Sequence, residues 1–466
     1  MPRKSVEECR SLYLTALNTG NWNDVAVWAT ELLRLDPEQP WVWGNRGVAL
    51  QKLGHPLDAI INHERALQYE QSAIHYCNIG AACQDFDLYD AAIENFDKSV
   101  AIDPTIAAVH MNRGHIFKWQ KKYDEALEAY RECIRVGPDA VDGHLGLAFM
   151  LLMLGQYEEG WKEFEWRWKS EQLLPRGLAL PQWDGEDLNG KGILIYGEQG
   201  LGDIIQFSRY ARVLSGRYPD AKIVIEGKYQ VKRLLQTIPE VDTVINYGEP
   251  IPKVDYAIAM LTLAAKFTPT VESIPSIERE FFINPYDVNV WKTKFDDIPK
   301  EHSKKLKVGL CWAGMARMTN PTALKVDSMR SLTLADFADA ALVPDILWVS
   351  LQKGAPADQL KKPPNNMFIA DYTEDMYDFY ETCCAIEQCD LVISVDTAVC
   401  HAAASLGKPV WMISRWDGCW RWLHDREDTP WYPSMRIFTQ DAAHDWRGVL
   451  KKVANELAIE VKRRKT

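Results

Sequence analysis

Residues 391–414 read LVISVDTAVCHAAASLGKPVWMIS, and this stretch decides the class of the second half of the chain. The apolar run Leu391–Val395 ends in Asp396-Thr397. An alanine-rich segment of helical character follows, Gly407-Lys408-Pro409 stops it, and a second apolar run opens at Val410. Strand, helix and strand at this spacing form the unit of a parallel sheet. Asp396 or Thr397 stands where a helix cap belongs, because a short side-chain oxygen there satisfies free backbone N–H groups. Those N–H groups, the Thr397 hydroxyl and His401, one turn in, would face one spot, which suits a phosphate group. Taken alone, His401 reads equally well as a satisfied core histidine.

The same alternation extends on both sides. Ile193–Tyr196 is a short apolar run, followed by GEQGLGD (197–203) and an amphipathic stretch. KIVIEG, TVINYG, DYAIAM and FFINP come next, then the charged segment PKEHSKKLK (299–307). A second series follows it: KVGLCWAG, ILWVSLQKG, MFIAD, DLVISVDT, VWMIS and RIFTQ. Two such series predict two Rossmann-like lobes, at 191–300 and 306–466, with ligands at the carboxyl ends of the strands. The loop 197–203 departs from the GxGxxG dinucleotide fingerprint. By itself, Asp203 reads as a helix N-cap that favours the dipole.

The first half carries a different period. Gly47, Gly80, Gly114 and Ala148 recur at steps of 33 or 34 residues, and so do Val25, Ala59, Ala92, Ala126 and Gly160. Four residues beyond the second set stand Ala29, His63, Phe96, Tyr130 and Phe164. Pro37, Pro104 and Pro138 close units at one phase, with Gln71 in place of a proline. Small residues let paired helices approach, aromatic rings fill the next gap, and proline stops the second helix. The pattern resembles the tetratricopeptide repeat, in about five units over 1–170, with a linker at 171–190. Such repeats stack into a solenoid with a concave face that binds segments of other proteins, or they buttress a neighbouring domain.

The ordered set EQGLGD, VGLCWAG, SLQKG, VDTAVCHAAASLGKPVW and WRWLHDREDTPWYPSM after helical repeats resembles the bacterial tetratricopeptide-repeat glycosyltransferases. Their catalytic region is a GT-B unit of the heptosyltransferase-like kind, with a distant likeness to the O-GlcNAc transferase architecture. The resemblance covers essentially the whole chain. It implies an α-solenoid followed by an α/β GT-B unit, with an acceptor lobe at 191–300 and a nucleotide-sugar lobe at 306–466. Asp203 matches the acceptor-side acid, a base for an inverting displacement. DTAVCH matches the family's DTG-x-x-H at Asp396, Thr397 and His401, and Ala398 replaces the usual glycine.

Cations are needed to offset a diphosphate. Lys353 follows a strand, Arg330 precedes a helix, and Lys325 is a third candidate; each also reads as a solvated surface charge. Gln352 and Trp312 occupy equivalent loop positions. Gln199, Gly200 and Gly202 belong to the acceptor-side loop, and Trp416, with Arg421, is a candidate to stack on or contact sugar or base. Packing of an irregular loop is the other reading of Trp416, Trp420 and Trp422. No DxD lies in the alternating half, so neither a metal nor any cofactor beyond the donor is expected. The expected partners are a nucleotide sugar and a protein acceptor bound by the repeats. The alternatives are a glycan, lipid or nucleobase acceptor, or a repeat scaffold with an inactive transferase unit.

Composition bounds these readings. The 466 residues, 47% apolar and 25% charged, supply more than one core. A net charge of −12 excludes a duplex nucleic-acid binder, which needs a cationic footprint. Residues 1–185 carry −9 of it, so the repeats are acidic and the second half is nearly neutral. The N-terminus lacks an apolar core of signal-peptide length, and nothing approaches a membrane span, so a cytoplasmic location is expected. The ten scattered cysteines form no CxxC pair and read as small core residues.

Overall fold

The computed structural model describes residues 5–170, 173, 176–302, 304–315 and 327–465. The chain forms two compact units, Met1–Met150 and Leu151–Thr466. The division differs from the expected limit near 170. Residues 157–164 belong with the second unit because Trp161 donates to the Thr268 carbonyl at 2.9 Å and packs edge-on against Trp420.

The first unit is a series of antiparallel helix pairs. They are α1 (Val6–Thr19), α2 (Trp22–Leu35), α3 (Pro40–Lys52), α4 (Pro56–Leu67), α5 (Ala73–Asp85), α6 (Tyr89–Ile102), α7 (Ala107–Trp119) and α8 (Tyr123–Val136). Helix α9 (Val141–Met153) crosses the unit boundary, and α10 (Tyr157–Phe164) lies beyond it. Ser5 opens the series with a capping box: its Oγ accepts from Glu8 N–H, and its own N–H donates to the Glu8 carboxylate at 2.8 Å. Helices α2, α6 and α8 end one or two residues before Pro37, Pro104 and Pro138.

The glycines of the first set meet the bulky residues of the last. A Cβ on Gly80 would lie 2.5 Å from the Phe96 ring, and one on Gly114 would lie 2.7 Å from the Tyr130 ring. Gly47 meets His63 in the same way, at 2.7 Å. The repeat period is therefore a packing rule, with one ring seated on one glycine in each of the three middle units. His63 is the polar exception. It is fully buried, its Nδ1 lies 3.4 Å from His75 Nδ1, and its Nε2 has no hydrogen-bond partner among the described residues. Burial, then the neighbouring His75, pushes His63 down to about 4. Replacing His63 with Phe, as in the following unit, is expected to stabilise the first unit by about 1 kcal/mol, because a buried polar atom without a partner is removed. Urea unfolding followed on the full chain checks this, and a loss of stability would contradict it.

The second unit holds two parallel sheets. In the first, β1 (Gly192–Tyr196), β2 (Lys222–Gly227), β3 (Thr243–Asn246) and β4 (Tyr256–Ala259) are ordered β3-β2-β1-β4. In the second, β5 (Leu306–Cys311), β6 (Ile346–Ser350), β7 (Ile369–Asp371), β8 (Leu391–Val395), β9 (Val410–Ser414) and β10 (Met435–Thr439) are ordered β10-β9-β8-β5-β6-β7. Every strand pairing is parallel. The fully buried strands explain the unbroken apolar runs in the sequence. These are the two Rossmann-like lobes expected after the solenoid. The expected strand FFINP is instead an extended link: Asn284 caps, and Pro285 begins, the helix α15 (Pro285–Asp296). Helices α11 (Leu201–Phe207), α12 (Tyr210–Arg217), α13 (Tyr229–Leu235) and α14 (Met260–Phe267) flank the first sheet. Around the second lie α16 (Ala338–Ala341), α17 (Phe379–Glu387), α18 (Ala398–Ser405) and α19 (Trp446–Lys465). In each sheet the chain reverses its direction of travel, between β1 and β4 and between β5 and β8. Loops diverge there and leave a crevice at the carboxyl ends of the strands.

Candidate functional site

That crevice is occupied by a cavity of about 490 Å³. Its walls come from the loop after β1 (Gln199 to Asp203), the turn after β2 (Lys228 and Gln230), and Gly314 and Met315 after β5. Asp396, Thr397, Ala398 and His401 after β8 and Ser414, Arg415, Cys419 and Arg421 after β9 complete it, with Arg330 beside them. The acceptor-side loop and the DTAVCH segment, about two hundred residues apart in sequence, thus share one cavity. Among the described residues, four cationic side chains, Lys228, Arg330, Arg415 and Arg421, line it against two carboxylates, Asp203 and Asp396.

Asp203 sits at the third position of α11. One carboxylate oxygen accepts the Gly200 N–H at 2.9 Å, closing the helix start, and the other accepts from Arg421. Burial works against the Arg421 charge, but Asp203, Cys419 and Asp396 together outweigh it, so this guanidinium holds its proton more tightly than a free arginine. Arg421 also lies 4.4 Å from the centre of the Trp420 ring. Helix α11 runs close to α18: a Cβ on Gly202 would lie 2.9 Å from the His401 ring. Glycine at 202 is therefore a requirement of close approach.

Asp396 holds the other side together. Its carboxylate accepts from Trp422 Nε1 at 3.0 Å, and its carbonyl accepts from Arg330 at 2.9 Å. Asp327 fixes the remaining face of the Arg330 guanidinium, at 2.9 and 3.1 Å. Thr397 is the N-cap residue of α18, but its hydroxyl does not cap the helix. It turns to Ser394 Oγ at 3.0 Å and Cys311 Sγ at 3.7 Å. That hydroxyl therefore does not converge with the helix N–H groups, contrary to the expectation from the sequence. His401 is buried, stacks on Trp422 at 5.2 Å and meets the Tyr432 hydroxyl through Nδ1 at 3.0 Å. Burial pushes it down to about 4, so the ring is neutral at pH 7.

A pH dependence follows. An unfolded histidine titrates near 6.5. The unfolded chain therefore binds a proton that buried His401 refuses, and stability is lost as pH falls from about 6.5 toward 4. One proton corresponds to about 1.4 kcal/mol per pH unit. His401→Phe is expected to remove about one proton from the slope of unfolding free energy between pH 6.5 and 5. An unchanged slope would contradict this.

Several expected ligand residues lie elsewhere. Trp312 is fully buried in the core of the second lobe. Gln352, also buried, accepts from the N–H groups of Trp312 and Ala313 and donates to the carbonyls of Ala313 and Lys353. Its amide is consumed in shaping the loop behind the cavity. The Lys353 ammonium donates to the carbonyls of Thr373 and Met376 at 2.6 and 3.0 Å, tying down a neighbouring turn. None of the three is among the cavity-lining residues, and neither is Trp416, whose N–H donates to Gln440 at 2.8 Å. Trp420 and Trp422 are buried packing groups. Lys325 lies outside the described residues.

Arg415, Lys228 and Gln230 were not anticipated. The Arg415 guanidinium pairs with Asp417 at 2.8 Å, while its Nη1 has no hydrogen-bond partner among the described residues. Lys228 donates to the Gln199 carbonyl at 2.9 Å. Arg415 and Lys228 each follow an apolar strand directly, the signal that singled out Lys353. Among the described residues, Asp396, Cys400 and His401 bring possible metal-ligand atoms within 4.8 Å of one another. The Cys400 thiol donates to the Thr397 carbonyl at 3.0 Å, and burial pushes it well above its ordinary value, so it is a poor source of thiolate.

No helix among the described residues is long and apolar enough to cross a membrane. Residues 76–106 and 107–139 match family models described as "Tetratricopeptide repeat". Over 455 aligned positions the chain is 25% identical to Protein FlbA of Caulobacter vibrioides, with 89% of this chain and 72% of that protein covered. It is 25% identical over 118 residues to human tetratricopeptide repeat protein 13, which covers 25% of this chain and 14% of that one. The solved structure of E. coli ADP-heptose lps heptosyltransferase II is 14% identical, covering 59% of this chain and all of that one with a TM-score of 0.43. A crystal structure of MamA protein is 20% identical, covering 36% of this chain and 92% of that one with a TM-score of 0.31. The N-terminal helical part of the chain is thus a tetratricopeptide-repeat solenoid, and a parallel-sheet α/β region follows it.

Proposed function

We propose that the second unit is a GT-B glycosyltransferase that moves a sugar from a nucleotide sugar to an acceptor hydroxyl in the cavity between its lobes. One observation carries the reading: a carboxylate on the first lobe, Asp203, shares a cavity with the start of α18 and three arginines, Arg330, Arg415 and Arg421. Transfer needs a proton acceptor on one side and a home for a departing diphosphate on the other. Asp203 takes the proton of the acceptor hydroxyl. The freed oxygen pair attacks the anomeric carbon from the face opposite the leaving group, which inverts the centre. The bond from that carbon to the diphosphate breaks, and its electron pair leaves with the diphosphate.

The N–H groups at the start of α18 and the arginines receive that charge, and the dipole of the helix adds to them. The small Ala398 side chain still lets a phosphate approach the first turn. Arg421 orients the Asp203 carboxylate between the two functions. No metal or cofactor enters these steps. The acidic repeats recruit a protein acceptor, and the reaction belongs to the cytoplasm, where nucleotide sugars are made.

A panel of nucleotide sugars, offered to the full chain and followed by thermal shift and by slow donor hydrolysis, tests the reading. Stabilisation and turnover with one member support it. Binding by no member overturns it and leaves the scaffold alternative. Deleting residues 1–150 tests recruitment: donor binding persists, and modification of the protein acceptor is lost.

A further inference from the structure

We infer that Arg167, in the short helical turn after α10, is a positioning residue that holds the Gly197–Asp203 loop in the shape the cavity requires. The turn spans Glu165–Lys169. Arg167 lines no part of the cavity and acts through Glu198, two residues before the Gly200 N–H that fixes Asp203.

The guanidinium is built into place. Its side chain is 4% exposed, and its centre lies 4.8 Å from the ring of Phe164 and 4.7 Å from that of Trp168. Such placement between two aromatic rings suits a planar cation and fixes its orientation. Nη2 donates to the Glu198 carboxylate at 3.0 Å and to the Thr262 hydroxyl at 2.7 Å. Nη1 donates to Glu165 at 2.6 Å and to the Phe164 carbonyl at 3.2 Å. Thr262 in turn donates to Glu165 at 3.0 Å, so the network is closed. The Glu198 side chain is only 2% exposed. Burial pushes Glu198 up to about 7 against the pull of Arg167, and the hydrogen bond from Nη2 fixes where its side chain lies.

The rest of the loop hangs from a few further bonds. Tyr247 donates to the Gly197 carbonyl, Lys228 donates to the Gln199 carbonyl, and Asp203 accepts from Gly200. Among these anchors of the described residues, Arg167 comes from before the linker. The segment that ends the helical repeats therefore supplies a part of the transferase unit. A misplacement of about 1 Å at a reacting group costs on the order of a hundredfold in rate. Loss of this anchor consequently reads out in turnover more than in donor affinity.

The catalytic part of this inference rests on the transferase reading, so the test has two arms. In the first, hydrogen exchange is followed on the full-length chain for wild type and Arg167→Gln. Exchange in 197–206 is expected to quicken tenfold or more, with strand 391–395 unchanged. Unchanged exchange in the loop, or an equal rise in both segments, overturns the proposal. In the second arm, donor hydrolysis is measured with whichever nucleotide sugar wild type accepts. The expected result is a kcat at least tenfold lower, with KM within threefold, and partial rescue by Arg167→Lys. An unchanged kcat overturns the proposal. Thr262→Val and Glu198→Gln give the same pattern more weakly and replace Arg167→Gln where that variant does not fold. A wild type that hydrolyses no donor overturns the transferase reading, and the exchange arm alone then decides the role of Arg167.

Discussion

Asp203→Asn lowers glycosyl transfer by about 10²–10⁴-fold, the range that a positioned general base contributes. Asparagine has nearly the same shape and keeps an oxygen for the Gly200 N–H, so the start of α11 survives. What is lost is the site that takes the acceptor proton, and with it the charge that pairs with Arg421. Donor affinity is expected to stay within threefold, because the proposed mechanism holds the diphosphate from the second lobe. Initial rates and a thermal-shift titration with the donor, on the same preparation, separate the two effects. Full transfer activity in the variant would remove Asp203 from the mechanism while leaving the fold untouched. An equal fall in affinity and rate would mark it as a binding group.

Trp420→Ala costs about 3–5 kcal/mol of stability, the range for deleting a large buried aromatic side chain. Trp420 is 6% exposed and sits at the centre of an aromatic cluster. Its ring lies 5.4 Å from Trp161, 6.1 Å from Phe164 and 6.3 Å from Phe207, and the Arg421 guanidinium covers it. These neighbours come from the end of the repeats, from α11 in the first lobe and from the loop after β9. Collapse around the vacated volume would therefore have to move three elements together. A second effect accompanies the first: Arg421 loses the ring that orients it toward Asp203. Denaturant unfolding measures the first effect, and transfer rate under native conditions the second. A cost below 1 kcal/mol would show that the cluster repacks freely.

Much of this organisation is legible in the sequence because it rests on local regularity. The repeat is carried by residues such as Gly80 and Phe96, which lie sixteen positions apart on two helices of one unit and touch directly. Buried parallel strands announce themselves as apolar runs because both faces are covered. FFINP imitates such a run, yet Pro285 begins a helix there and the segment passes outside both sheets. Asp203 and the 396–401 segment are recognisable because each follows a strand and opens a helix.

Cavity membership is a different kind of property. Lys353 and Arg415 both follow strands directly and look alike in the sequence. Lys353 finds two backbone carbonyls that consume its ammonium, whereas Arg415 reaches the cavity with a nitrogen that has no hydrogen-bond partner among the described residues. Gln352 follows a strand as a nucleotide ligand would, yet its amide closes the loop at Trp312 and Ala313. Arg167 offers no local signal at all, since its partner Glu198 lies thirty-one residues away across the linker.

The helical repeat, the two parallel α/β lobes and the two segments around Asp203 and at 396–401 are readable from the amino-acid order alone. Periodicity and strand–loop–helix order are local, and each is repeated several times along the chain. Which cations face the cavity, that Arg421 holds Asp203, and that Lys353, Gln352 and Trp312 serve the scaffold emerge once the chain is folded. The physical reason is that a polar side chain takes whatever unpaired donor or acceptor folding brings within reach, and that partner is set by segments distant in sequence.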